Sequence, residues 1–74
     1  MGQMIFNSVR EINAACRKAA YSGFNQDVRV AIKDEFGTSY VQVSRARTVK
    51  GFLQVKLVST GQWVDCLWLD LVIQ

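Results

Sequence analysis

The last third of the chain constrains the fold most. Residues 51–74 read GFLQVKLVSTGQWVDCLWLDLVIQ, two apolar runs joined at Thr60-Gly61. Gly accepts the positive φ that tight turns demand, so the segment predicts a β-hairpin. With Thr60 and Gly61 as the loop, Leu57 faces Val64, Val55 faces Cys66 and Leu53 faces Trp68. That face is apolar at every rung, as a core face must be. On the other face Val58 meets Trp63, Lys56 meets Asp65 and Phe52 meets Leu69. The Lys56–Asp65 rung sets opposite charges across from each other, which is favourable.

The second face carries Trp63, Leu67, Leu69, Leu71 and Ile73 together with Val58 and Phe52. A sheet solvated on one side is polar there, and this one is not. It calls for cover from a helix, from closure into a barrel or from a second subunit. Large aromatic and aliphatic side chains dominate interface energetics. Phe52, Trp63, Leu67, Leu69 and Leu71 are therefore the candidate protein interface.

Upstream, Ser8-Val9-Arg10-Glu11 is a capping-box pattern, in which Ser8 accepts from the Glu11 amide and Glu11 reaches back to Ser8. Helical spacing follows. Val9, Ile12, Cys16, Ala19 and Ala20 fall on one face, and Arg10, Glu11, Asn13, Arg17 and Lys18 largely on the other. The small residues on the apolar face let the helix lie close to a sheet. Gly23 fits a left-handed C-cap. Residues 1–6 predict a short edge strand or a lead-in packed under the helix.

Val28, Val30 and Ile32 alternate with polar neighbours, as do Val41 and Val43. With the turn Asp34-Glu35-Phe36-Gly37 between them, these runs predict another hairpin. Ser44 to Lys50 is either a strand end plus loop or a continuation bent by a bulge. One domain over 1–74 is expected, with a helix at about 8–22 and strands at about 27–34, 38–46, 51–59 and 62–73. This order predicts an α+β fold, one N-terminal helix packed on a four- to five-stranded antiparallel sheet. It excludes a parallel βαβ layout. The alternative is a small SH3-like β-barrel with an N-terminal helix, because TGQWVDCLWLDLV is similar to the closing strand of such barrels.

Composition narrows the function. The chain has no His. That removes Ser-His and Cys-His catalysis and the commonest metal ligand. There is no phosphate-binding glycine loop. Cys16 and Cys66 match no zinc spacing, and two free thiols are expected; a bridge would require the helix to cross the hairpin's core face. No catalytic residue, cofactor or metal is expected. The longest apolar run is too short to span a bilayer and carries Asp65 and Asp70, and the opening residues lack the pattern of a secretory leader. Phe6 stands where a myristoylation signal takes Ser or Thr. No membrane partner and a cytoplasmic location are expected.

Half of the residues are hydrophobic, 50% of a 74-residue chain. Chains this short are marginal alone, so the composition fits either a dense core or a core completed by oligomerisation. The functional expectation is a small non-enzymatic protein acting through protein–protein contacts with an unidentified partner, and self-associating as a homo-oligomer. Its size suits an accessory regulator or inhibitor of the kind carried by phages and mobile elements. The alternative is a nucleic-acid-binding module. Arg45, Arg47 and Lys50 form a basic cluster that Arg29, Lys33 and Tyr40 extend. Arg supplies bidentate phosphate contacts, and aromatic rings stack on bases.

Overall fold

The computed structural model describes residues 5–22 and 27–74. The fold is α+β: helix α1 (Val9–Ser22), then strands β1 (Val28–Asp34), β2 (Gly37–Val49), β3 (Phe52–Leu57), β4 (Trp63–Asp65) and β5 (Leu71–Ile73). A 3-10 turn, Trp68–Asp70, separates β4 from β5. The strands form one antiparallel sheet in the order β4-β3-β2-β1-β5. The sheet is open: β4 and β5 are its two edges, and the SH3-like barrel is not formed. The expected C-cap at Gly23 and residues 1–4 lie outside the described residues.

The edges are consecutive in the chain, and this forces curvature. A flat five-stranded sheet separates its outer strands by about 19 Å. The link from Asp65 to Leu71 contains the 3-10 turn, whose rise is only about 2 Å per residue, so it reaches about 16 Å. The sheet therefore curls. Its bend is localised in β2. Residues 37–42 of β2 pair with β1, and residues 43–49 pair with β3. Between them the register slips at Val43/Arg45, where Ser44 and Arg45 together oppose Lys56. Such a bulge bends its strand and increases its twist. Of the two readings of Ser44 to Lys50, the bulged continuation is the one the chain adopts.

The inner faces of the two half-sheets enclose the core, and α1 covers them. Val28, Val30, Val43, Ala46, Leu53, Val55, Leu57 and Leu71 pack with Phe6, Ile12 and Cys16. Phe6 anchors the lead-in. At the helix start the Glu11 amide donates to Ser8 Oγ at 3.2 Å, as the sequence predicts. The reciprocal bond is displaced by one residue: Glu11 Oε2 accepts from the Asn7 amide at 2.8 Å, not from Ser8. The apolar stripe runs through Val9, Ile12, Ala15 and Cys16, and Ala20 is exposed.

Where β2 leaves β1, its backbone would be left unpaired. Helix side chains close that gap. Asn13 Oδ1 accepts from the Ala46 amide at 2.8 Å, and Asn13 Nδ2 donates to the Ala46 carbonyl at 3.1 Å. One turn on, the Cys16 thiol donates to the Val43 carbonyl at 3.5 Å. Asn13, expected on the solvent face, is thus the polar seam between helix and sheet. A buried backbone group must find a partner, and a primary amide matches a peptide group donor for acceptor.

The turns explain the register. Val49 pairs with Phe52 across Lys50-Gly51, both at positive φ (52° and 82°). That is the mirror-image turn whose twist matches a hairpin. Lys50 accepts a left-handed conformation that Asn or Gly would occupy more readily. The β3–β4 connection differs from the sequence expectation. Val55 pairs with Val64, Lys56 with Trp63 and Gln54 with Asp65. The loop spans Val58 to Gly61, closed by a 2.8 Å bond from the Gly61 amide to the Leu57 carbonyl. The shift of two residues preserves which face each side chain occupies but breaks the Lys56–Asp65 rung. The 3-10 turn then resets the alternation. Leu71, expected on the outer face, is 2% exposed and lies in the core.

Candidate functional site

Alternation along β2, β3 and β4 places nine side chains outward on the second half-sheet, three from β2, three from β3, two from β4 and one, Leu67, just beyond it. The first rung is Arg45, Lys56 and Trp63; the second is Arg47, Gln54 and Asp65. Val49 and Phe52 begin the third. The Cys66 amide donates to the Leu53 carbonyl at 3.1 Å, so the pairing runs on past β4 and sets Leu67 opposite Phe52. The face grades from basic and aromatic, through a polar middle, to apolar.

The middle is preordered. Arg47 Nε donates to Gln54 Oε1 at 3.0 Å, and Gln54 Nε2 donates to Asp65 Oδ1 at 2.9 Å. The Arg47 guanidinium lies 4.0 Å from the centroid of the Trp63 ring. A cation over an indole face at an exposed site is worth about 0.5–1 kcal/mol. Trp63 is therefore laid across the sheet and held by a guanidinium that is itself held by Gln54. The third rung is open to solvent, with Phe52 and Leu67 each 67% exposed.

This face draws from both sets of sequence candidates. Phe52, Trp63 and Leu67 come from the expected protein interface, and Arg45 and Arg47 from the expected nucleic-acid patch. Lys50 sits in the turn beside the apolar rung. The remaining candidates lie elsewhere. Leu69 is exposed on the 3-10 turn, off this grid, and Leu71 is core. Arg29, Lys33 and Tyr40 lie on the outer face of the first half-sheet, opposite Gln42, Thr38 and Ala31. Arg29 there forms a 3.6 Å ion pair with Asp27, and its Nε is buried without a partner. Residues 32–40 are exposed throughout, so the β1–β2 hairpin projects as an arm with Phe36 at its tip.

Sequence reasoning missed Gln54 and Lys56 as members of the site. It assigned Asp65 to Lys56, whereas Gln54 takes the carboxylate and leaves Lys56 directly across from Arg45. Like charges facing each other across a strand pair are unfavourable. The signal available was the polar pair Ser59-Thr60 before Gly61, which suits a loop longer than two residues.

Among the described residues both edge strands offer unused backbone. The Leu57 amide donates to Gln62 and the Cys66 amide to Leu53, so alternation turns the amides and carbonyls of Trp63 and Asp65 outward from β4. On β5, Asp27 and Gln74 exchange both bonds, which turns Ile73 outward.

The two thiols are unsuited to nucleophilic work. Burial pushes Cys16 up to about 11. Burial, then Asp70 and Asp65, pushes Cys66 up to about 11. Both cysteines are free, so no bridge joins them. Among the described residues no three Cys, Asp or Glu side chains gather to hold a metal ion, and no helix is long and apolar enough to cross a membrane. Comparison with protein-family models, with curated proteins and with solved structures finds no match to this chain.

Proposed function

We propose that this chain is a protein-interaction module that self-associates through the outer face of β2–β3–β4 and the open sheet edge beside it. The observation that carries this reading is the exposed apolar rung Val49–Phe52–Leu67 next to the ordered Arg47–Trp63 pair. Interface cores are enriched in aromatic residues and Arg and depleted of acids. Here the acid on the face, Asp65, already accepts from Gln54. Preordering of Arg47 and Trp63 lowers the entropy lost when a partner docks. A second copy is the occupant the edges favour. Among the described residues the sheet of each copy ends in two open strands, and an unpaired edge finds its complement in another unpaired edge.

The nucleic-acid reading has narrower support. Three of its six residues, Arg29, Lys33 and Tyr40, stand on the other half-sheet, and Arg47 is committed to Trp63 and Gln54.

Sedimentation velocity over a concentration series tests the proposal. The wild-type chain is expected to shift from monomer to a larger species. The double variant Phe52→Ser, Leu67→Ser is expected to remain folded and to associate about tenfold more weakly or less. A wild-type chain that stays monomeric at every concentration overturns self-association. Unchanged association in the double variant overturns the assignment to this face.

A further inference from the structure

We propose that the cleft between α1 and the β2 bulge binds a phosphoryl group. The cleft has a volume of about 290 Å³ and is lined by Asn13, Arg17, Ser44 and Arg45. That size is at the small end of the range for ligand sites. Two elements build it. Asn13 ties the helix to Ala46, which fixes Arg17 one turn further along over the sheet. The register slip at Ser44 sets Ser44 and Arg45 side by side on the exposed rim of β2, where both line the cleft.

The donors and acceptors in the cleft select an anion. Asn13 spends its oxygen and one amide hydrogen on Ala46. The Ser44 hydroxyl donates to the Lys56 carbonyl at 3.3 Å. The groups left to meet a ligand are the two guanidinium forks and the second Asn13 amide hydrogen, all donors, beside the neutral Ser44 oxygen as the one side-chain acceptor. No carboxylate lines the cleft. Arg17's helical neighbours at three and four residues are Asn13, Ala14, Ala20 and Tyr21, none of them acidic. The cross-strand neighbour of Arg45 is Lys56, a third cation. Among the described residues the one ion pair, Arg29–Asp27, lies on the other half-sheet. Two guanidinium groups thus line the cleft without a carboxylate among its lining residues.

Phosphoryl oxygens match this arrangement in charge and number. Guanidinium forks bind phosphate bidentately, and two forks from different elements reach different oxygens of one group. The cleft shares Arg45 with the outer face but lies at the opposite end of it from Phe52 and Leu67, the positions that the self-association test changes.

Titration of the full chain with inorganic phosphate, then pyrophosphate, at low ionic strength and followed by ¹H–¹⁵N NMR tests the site. Shifts are expected at Asn13, Arg17, Ser44 and Arg45. Arg17→Gln and Arg45→Gln are each expected to weaken binding by about tenfold or more, the loss of a charge-assisted partner. Arg10→Gln, an exposed cation of the same helix outside the cleft, is expected to leave it within about twofold, the scatter of a screened surface charge. Absence of shifts at the four residues overturns the proposal. An equal loss in Arg10→Gln also overturns it, because diffuse positive charge then explains the binding. A single-stranded oligonucleotide that displaces phosphate from the same residues identifies the source as a phosphodiester backbone. An oligonucleotide without effect, while pyrophosphate binds, identifies a small phosphorylated molecule.

Discussion

Asn13→Ala removes the clamp that holds β2 to the helix, and its cost follows from the geometry. Two hydrogen bonds are lost, at 2.8 and 3.1 Å, and the amide and carbonyl of Ala46 are left without the partner they had. An unsatisfied buried backbone group costs about 1–3 kcal/mol. Asn13 is half-buried, so water reaches part of the gap and the lower end applies to each group. The pair then amounts to about 2–3 kcal/mol. Ala is the better helix former by about 0.6 kcal/mol, which offsets part of the loss. The net expectation is a destabilisation of about 2 kcal/mol, or about 10 °C in Tm for a chain of this size. Asn13→Asp keeps an acceptor for the Ala46 amide but cannot donate to its carbonyl, so it should fall between wild type and Asn13→Ala. Urea denaturation measures the loss, and hydrogen exchange at the Ala46 amide locates it. If Asn13→Ala stays within about 0.5 kcal/mol of wild type, the range of an ordinary surface change, and Ala46 exchanges no faster, the clamp has no energetic role.

Two further outcomes are expected. Leu71→Ala should cost about 2–5 kcal/mol, enough to unfold much of so small a domain, while Leu67→Ala should stay within about 0.5 kcal/mol under dilute conditions; equal losses by chemical denaturation would contradict the reset of alternation at the 3-10 turn. The Cys16 thiol is raised from 9.0 to about 11, so above pH 9 the unfolded chain gives up this proton before the folded chain does. The stability linked to it is intact below pH 9 and is lost as pH rises toward 11, by about 2–3 kcal/mol. Urea midpoints across that window should fall more steeply for wild type than for Cys16→Ala, and parallel slopes would refute the linkage.

Neighbouring residues settled the local structure. Ser8 and Glu11 announce the helix start because the cap is made within one turn. The alternation of Val28 and Val30 and of Leu53, Val55 and Leu57 announces strands and their inner face, because a period of two is a property of the strand alone, whereas Ile32, expected inward by the same alternation, is exposed on the projecting arm. Gly61 marks its turn through its backbone freedom, whereas the turn at Lys50-Gly51 places a non-glycine residue at positive φ and was not announced. A mid-helix Asn is a local mismatch, and Asn13 was in that sense visible as an anomaly, though not as a clamp.

The candidate site was legible in pieces. Alternation already placed Phe52, Trp63 and Leu67 on one face, but not Arg45 and Arg47 of β2 beside them, which needed the pairing of β2 with β3. Which residues oppose each other there depended on the two-residue shift in the β3–β4 pairing, which a four-residue loop produces and which preserves facing while exchanging every partner. Leu71 entered the core because a short 3-10 turn rotates the chain between β4 and β5, an effect with no signature in an apolar run. The cleft beside Arg17 and Arg45 exists because β2 bends at Ser44 to serve two half-sheets, leaving backbone that a helix more than thirty residues upstream must satisfy. The sequence by itself determined which segments are helix and strand and which side of each is apolar, since those follow from contacts between near neighbours. Only the tertiary structure decided the partners across strands, the open edges and the meeting of the basic residues, because those depend on how far the sheet curls before its two ends come within reach of one short link.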